Sequence, residues 1–196
     1  MNVLLLGPYR PDLVNFLQSC NDKVTNTEEK LSLNSDFLQN IEFIISYGYK
    51  HILKKEILDK FPEKAINIHI SLLPWNRGAD PNLWSFLEDT PKGVTIHYLD
   101  AGIDTGKILV QQEVNFNSEE TLRTSYEKLS IIAENLFKEY WVDIRDGKIQ
   151  PREQPSEGSY HRLRDRKPYE HLLTQGWDTP VRDLIGKAKQ KNTYEK

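Results

Sequence analysis

The chain of 196 residues carries one cysteine, Cys20, and one methionine. A lone cysteine closes no intrachain disulfide and excludes a zinc site built from several thiolates. Long apolar runs are missing as well. Nothing approaches the roughly 18 consecutive apolar residues of a spanning helix. MNVLLLGPY has no basic segment ahead of its apolar run, so it reads as a first strand rather than a signal peptide. The expected setting is cytoplasmic, with no membrane partner. Neither charge sign dominates: 26 Lys+Arg stand against 29 Asp+Glu, a formal charge of -3. Phosphate backbones require concentrated positive charge, so no nucleic-acid partner is expected. The phosphate and metal signatures are also absent. GPYRPDL lacks the three glycines of a dinucleotide fingerprint, no GxxxxGK loop occurs, and the five histidines have no HExxH spacing. Ser71 has no GxSxG setting, so a serine nucleophile is unsupported. No metal site is expected.

What is present reads as an α/β chain. Its length fits one domain with a proper core. We divide it into a main domain over 1–150 and a C-terminal tail over 151–196, packed on or extending that domain. Val3 to Leu6 is a continuous apolar run closed by Gly7 and Pro8, the pattern of a strand buried on both faces. Pro11 suits the first turn of a helix that turns Leu13, Val14, Phe16 and Leu17 inward. Residues 21–40 are polar and poorly patterned. Asn21 to Lys30 is expected to be a surface connection, followed by a short helix near Ser35 to Gln39. A strand begins at Glu42 to Tyr47, and a helix is expected over Lys54 to Phe61. Lys107 to Phe116 alternates like a long strand. Asn117 or Ser118 can cap a helix to about Arg145 whose inward stripe is Leu122, Leu129, Ile132, Leu136 and Tyr140. PREQPSEG is loop-like, and a last helix is expected from Pro180 to about Gln190. The final QKNTYEK is expected to fray.

The chemistry gathers between Ala65 and Gln111. AINIHI is a strand candidate that Pro74 stops from continuing, and Asn67 and His69, two apart, point to the same side of it. GVTIHYLD is a second strand leading into a Gly-rich turn that carries Asp100 and Asp104. A carboxamide, an imidazole and a carboxylate can therefore meet where strands end. That combination suits proton transfer. Spacing alone leaves Asp100 and Asp104 both eligible as the carboxylate.

NIHISLLPWNRGADPNLW followed by GVTIHYLDAGIDTGKIL resembles the core of the 10-formyltetrahydrofolate-dependent formyltransferases. These include glycinamide ribonucleotide, methionyl-tRNA and nucleotide-linked amino-sugar formyltransferases. The resemblance implies a mostly parallel Rossmann-like sheet with helices on both faces, here with an abbreviated N-terminal half and an antiparallel addition near 93–116. It makes residues 1–150 the catalytic domain and implies Asn67, His69 and Asp104 as catalytic residues, settling the choice of carboxylate. His97 matches a histidine shared by the family, in a structural or catalytic role. Tyr47, Gly48, Tyr49, Asp100 and Gly102 are the expected contacts of 10-formyltetrahydrofolate. Ser71, Arg77 and Gly78 fall on the acceptor side. Arg77 and the basic RLRDRK segment are candidates to meet a diphosphate.

The tail is short for the nucleic-acid-binding barrel of the tRNA branch, and SYHRLRDRKPYEHLL resembles the amino-sugar branch. The expected activity is transfer of a formyl group to the primary amine of a nucleotide-linked amino sugar. Formylation of glycinamide ribonucleotide or methionyl-tRNA, hydrolysis of the formyl donor, and a non-catalytic binding protein are the alternatives. The short N-terminal half leaves the folate pocket more open or closed by a second subunit, which allows a homodimer.

Overall fold

NVLLL becomes strand β1 (Asn2–Leu6) because Val3 to Leu6 can all be buried at once, and each is at most 1 % exposed. In this computed structural model, which describes residues 1–188, β1 lies between two parallel neighbours, β2 (Lys23–Thr27) and β3 (Phe43–Ser46). Parallel strands need both faces covered, which is why FIIS is as continuously apolar as NVLLL. Strand β4 (Ala65–His69) pairs parallel to β3. The six-stranded sheet has the order β2-β1-β3-β4-β6-β7, with β6 at Gly93–Tyr98 and β7 at Ile108–Glu113. The Leu99 N–H donates to the Ala65 carbonyl and His97 lies opposite Asn67, so β6 runs antiparallel to β4. The bonds from Tyr98 N to Lys107 O and from Val114 N to Lys92 O make β7 antiparallel to β6. This is the antiparallel addition expected near 93–116.

The chain forms two compact units. The first comprises Met1–His69, Ile96–Val110 and Glu134–Gln154. Helix α1 (Pro11–Ser19) begins on its proline, as expected, and buries Leu13, Val14 and Leu17. The close approach of the β1 and β3 ends requires Gly7, because a Cβ there would strike the Tyr47 carbonyl and the residue sits at φ +126°. A second apolar cluster joins Leu4, Leu6 and Ile44 to Leu53, Ile57 and Phe61. Asp22 is buried in this unit. It accepts hydrogen bonds from the Met1 amine at 2.9 Å, from Trp141 Nε1 at 2.8 Å and from Arg145 at 3.3 Å.

The second unit comprises Ile70–Thr95, Gln111–Ala133 and the described residues from Pro155 onward. It holds the short parallel pair β5 (Arg77–Gly78) and β8 (Tyr160–His161), and helix α3 (Pro81–Leu87). Leu83, Trp84, Phe86 and Leu87 of α3 pack with Leu122, Val181 and Leu184. Asn82 is satisfied inside this core, donating to the Leu122 carbonyl and to Ser125 Oγ. Helix α4 (Leu122–Arg145) begins here and contributes residues to both units.

Several local expectations are corrected. Asn21 to Lys30 contains β2, an edge strand whose only fully buried residue is Thr27; an edge strand held by backbone bonds needs little apolar sequence. The helix expected near Ser35 is a 3-10 turn, Asp36–Leu38. Helix α2 spans only Lys55–Leu58, since Pro62 disfavours helical geometry at Phe61 and the following turns close with i→i+3 bonds. The cap of α4 is Thr121, which exchanges backbone-to-hydroxyl bonds with Thr124, whereas Asn117 bonds the Glu119 N–H in the preceding turn. Along α4 the buried positions include Ala133, Phe137, Trp141 and Ile144, displacing Ile132 and Tyr140 to half-buried sites. Among the described residues of the last expected helix only Val181–Asp183 is helical, and as a 3-10 turn. The Gly186 and Ala188 N–H groups bond the Phe86 and Leu87 carbonyls at the end of α3 instead of continuing a helix of their own. The rest of that expectation, and the fraying of QKNTYEK, lie outside the described residues.

Two stability predictions result. Asp22→Ala leaves the Trp141 N–H without its acceptor and removes one of the two carboxylates that Arg145 bonds, the other being Asp146. Urea unfolding should show a loss of about 1–3 kcal/mol. Thr121→Ala removes one α4 cap and should cost about 1 kcal/mol in the same measurement.

Candidate active site

Strand geometry puts Ala65, Asn67 and His69 on one side of β4, with Ala65 fully covered. The turn after β6 then folds back toward them. Asp104 sits there at φ +54°, a left-handed conformation that aspartate tolerates better than most residues. Its Oδ1 accepts from Asn67 Nδ2 at 3.2 Å and lies 3.5 Å from His97 Nε2. Its Oδ2 lies 3.7 Å from His69 Nδ1, within ion-pair reach but long for a hydrogen bond. All four residues belong to the first unit. The structure therefore brings together the three residues singled out in the sequence.

His97 completes the group. It is fully buried, and its Nδ1 lies 2.8 Å from the Tyr98 carbonyl. A carbonyl only accepts, so Nδ1 carries a proton and donates there. This turns Nε2 inward, 3.4 Å from Asn67 Nδ2 and 3.5 Å from Asp104 Oδ1. The His69 and His97 rings meet edge to face at 6.3 Å.

Asp100 is placed differently. Its carboxylate accepts from the Gly102 N–H at 3.1 Å and from Thr105 Oγ1 at 2.7 Å, and so builds the turn itself. Of the two aspartates left open by spacing, only Asp104 directs its carboxylate at Asn67 and the histidines. Gly106 lets the turn close on β6, since a Cβ there would collide with the Tyr98 carbonyl. A residue the sequence did not flag also holds this turn: Gln154 Nε2 donates to the carbonyls of Asp104 and Gly106, both at 2.8 Å. Its setting, PREQPSEG, carries only a loop signal.

The expected folate contacts in the first unit have side chains engaged elsewhere. The Tyr47 ring is buried under the Arg10 guanidinium, 3.9 Å from its centroid. Tyr49 donates its hydroxyl to the Glu29 carbonyl and accepts the Leu31 N–H; burial pushes its pKa up, against the lowering effect of that N–H. Tyr98, whose carbonyl orients His97, also has its hydroxyl pKa raised, chiefly by burial and then by Glu63. A Cβ added at Gly48 would make only ordinary contacts, 3.5 Å from Pro8 Cδ and 3.8 Å from the Arg10 guanidinium, so it is the φ of +70° that favours glycine there.

The expected acceptor-side residues lie in the second unit. Ser71 is buried and donates its hydroxyl to the Trp75 carbonyl at 2.8 Å. Arg77 and Gly78 form β5, and Gly78 lies against the His161 backbone too closely for a Cβ. Trp84 is a core residue, stacked on His161 with ring centroids 3.7 Å apart. Of RLRDRK, Arg166 pairs with Asp80 at 2.9 Å, while Arg164 is exposed. No group of three or more His, Cys, Asp and Glu able to hold a metal ion occurs among the described residues. No described helix is long and apolar enough to cross a membrane.

Comparison with known proteins agrees with this chemistry. A family model described as formyl transferase matches residues 17–140, well over half the chain. The methionyl-tRNA formyltransferase of Thermodesulfovibrio yellowstonii is 42 % identical over 122 residues, 62 % of this chain and 40 % of its own length. That of Halothermothrix orenii is 37 % identical over 172 residues, 86 % of this chain and 52 % of its own. The chain thus spans about half the length of these curated relatives or less. Among solved structures, the formyltransferase PseJ from Anoxybacillus kamchatkensis, crystallised with UDP-4,6-dideoxy-4-formamido-L-AltNAc and tetrahydrofolate, is 58 % identical. It superposes with a TM-score of 0.94, covering 96 % of this chain and 100 % of that one. A sugar N-formyltransferase from Shewanella sp. FDAARGOS_354, 24 % identical with a TM-score of 0.76 over 95 % of this chain and 87 % of its own, shares the fold. A sheet that ends in a buried carboxamide, imidazole and carboxylate, and a family match running through all of β4 and β6, have one common reading: the chain belongs to the formyl transferase family.

Proposed function

We propose that this protein transfers a formyl group from 10-formyltetrahydrofolate to the primary amine of a nucleotide-linked 4-amino sugar, with Asn67, His69 and Asp104 as its catalytic residues. The observation that carries the reading is the convergence of these side chains within 3.2–3.7 Å of the Asp104 carboxylate. The choice of acceptor is supported by the 58 % identity to PseJ, whose crystals contain a formylated UDP-sugar and tetrahydrofolate. The proposal places the protein in the cytoplasm, without a nucleic-acid partner, and as a homodimer.

The residues present fit a bound formyl donor: a neutral N–H donor, a shielded carboxylate and two imidazoles stand together, with no competing thiol among them. The donor supplies the formyl carbon, which exchanges its bond to a folate nitrogen for one to the acceptor nitrogen. Asn67 Nδ2 aims its hydrogens at the negative charge that builds on the formyl oxygen. His69, whose Nδ1 lies 3.7 Å from Asp104 Oδ2, adds a second donor to the same oxygen. The acceptor must lose a proton, which Asp104 takes, and the departing folate nitrogen must gain one, which His69 delivers. Removing a single oxyanion donor costs on the order of 100- to 1,000-fold in turnover. The backbone of Tyr47, Gly48 and Tyr49 and the turn at Asp100 and Gly102 are the folate contacts. Ser71, Arg77 and Gly78 serve the acceptor, with Arg77 toward its diphosphate.

The test is a panel assay by mass spectrometry. Formyl donor is mixed with UDP- and dTDP-linked 4-amino sugars, glycinamide ribonucleotide and charged initiator tRNA. A gain of about 28 daltons, one carbonyl inserted at an N–H, is expected on a nucleotide sugar. Formylation of only the ribonucleotide or the tRNA overturns the acceptor, and formate release with no acceptor gain selects a hydrolase. On the active sugar, Asn67→Ala and Asp104→Asn should each reduce kcat at least about 100-fold. Retention of wild-type turnover by either variant removes that residue from the mechanism.

A further inference from the structure

We propose that Gln154 is a positioning residue for Asp104, and that its carboxamide is part of what makes the left-handed turn catalytically competent. The inference rests on the formyl-transfer reading above. Gln154 Nε2 is 2.8 Å from both the Asp104 and the Gly106 carbonyl, so one nitrogen spends its two hydrogens on two peptide groups of the same turn. Those peptide groups bracket Thr105 and Gly106, and the first of them sets the direction in which the chain leaves Asp104. The residue at stake is non-glycine at φ +54°, a conformation that persists only when its surroundings enforce it.

The anchor is itself fixed. Ile108 and Arg152 exchange both backbone hydrogen bonds, N–H to carbonyl at 2.8 and 2.9 Å, which pins the segment entering Gln154 to the strand leaving the turn. On its other side the turn is closed by the Asp100 carboxylate, bonded to Gly102 N–H and Thr105 Oγ1. The two clamps differ in what they hold. Asp100 ties Gly102 and the Thr105 hydroxyl, one on each side of Asp104, whereas Gln154 holds the Asp104 peptide itself. Loss of Gln154 therefore leaves the turn formed but lets the Asp104 carboxylate drift from Asn67 and His69. A displacement of about 1 Å in such a group is enough to cost on the order of 100-fold in rate.

Gln154→Met, a near-isostere with no N–H, is the main variant, and Gln154→Asn keeps both hydrogens one carbon short. With the nucleotide sugar that the panel identifies, Gln154→Met should lower kcat about 10- to 100-fold, with KM for donor and acceptor within about threefold. Gln154→Asn should fall between it and wild type. Combining Gln154→Met with Asp104→Asn should add little to the loss from Asp104→Asn alone, because a residue acting through a carboxylate has no effect once the carboxylate is gone. Multiplying losses, or a change in KM with kcat intact, overturns the proposal. A crystal structure of Gln154→Met provides a readout independent of activity: Asp104 is expected to leave its contact with Asn67 Nδ2. Asp104 unmoved in that structure also overturns it. If wild type formylates nothing, the formyl-transfer reading fails by itself, and the structural comparison still decides whether Gln154 holds Asp104.

Discussion

A carboxylate held against a strand by a left-handed turn is the constraint on which the site depends. Asp104 reaches Asn67, His69 and His97 only because the chain turns back after β6 instead of running straight into β7. The turn is costly by itself, with a non-glycine residue at positive φ and a glycine, Gly106, pressed on the Tyr98 carbonyl. The offsetting bonds come from Asp100 on one side and Gln154 on the other. The parallel strands β1, β3 and β4 supply rigidity beneath it, since a one-residue slip of the alternating β4 would exchange the buried Ile66 and Ile68 with Asn67 and His69.

Much of this frame was legible in the sequence because it is written in local terms. VLLL and FIIS have the uninterrupted apolar pattern of two-sided burial, and Pro11 marks a helix start that depends on no distant partner. Asn67 and His69 share a face through the two-residue period of a strand. What remained illegible depends on contacts far along the chain. β2 is a strand because β1 offers it a backbone ladder, not because KVTNT is apolar. Gly186 and Ala188 turn from helix to the end of α3 for carbonyls about a hundred residues earlier. The choice between Asp100 and Asp104 could not be made from spacing, since both flank the same glycine turn; it depends on which carboxylate the turn consumes. Gln154 gave no signal, because its partners are backbone atoms that any sequence presents.

Composition carried a different kind of information. One cysteine and the histidine spacings argued against a site built from thiolates or an HExxH pair, and the polar atoms around Asp104 face one another within the chain. Buried polar clusters of this kind persist only when their members satisfy one another. His97 shows how that contact is ordered: its Nδ1 faces the Tyr98 carbonyl, which turns Nε2 toward both Asn67 and Asp104. A histidine that the sequence left between a structural and a chemical role therefore lies against both the amide and the carboxylate.

The resting bonds of Asn67 bear on how the proposed reaction is timed. Its amide already donates to the Asp104 carboxylate, so stabilising the formyl oxygen is an exchange of acceptors and not a gain from nothing. The exchange becomes favourable when the competing acceptor loses its charge. Under the proposed mechanism Asp104 takes the proton of the acceptor amine, and a protonated carboxyl holds an N–H less strongly than a carboxylate. The donor is therefore released toward the formyl oxygen as negative charge builds there. Placing proton acceptor and oxyanion donor 3.2 Å apart thus couples two events that a more widely spaced site would have to arrange separately.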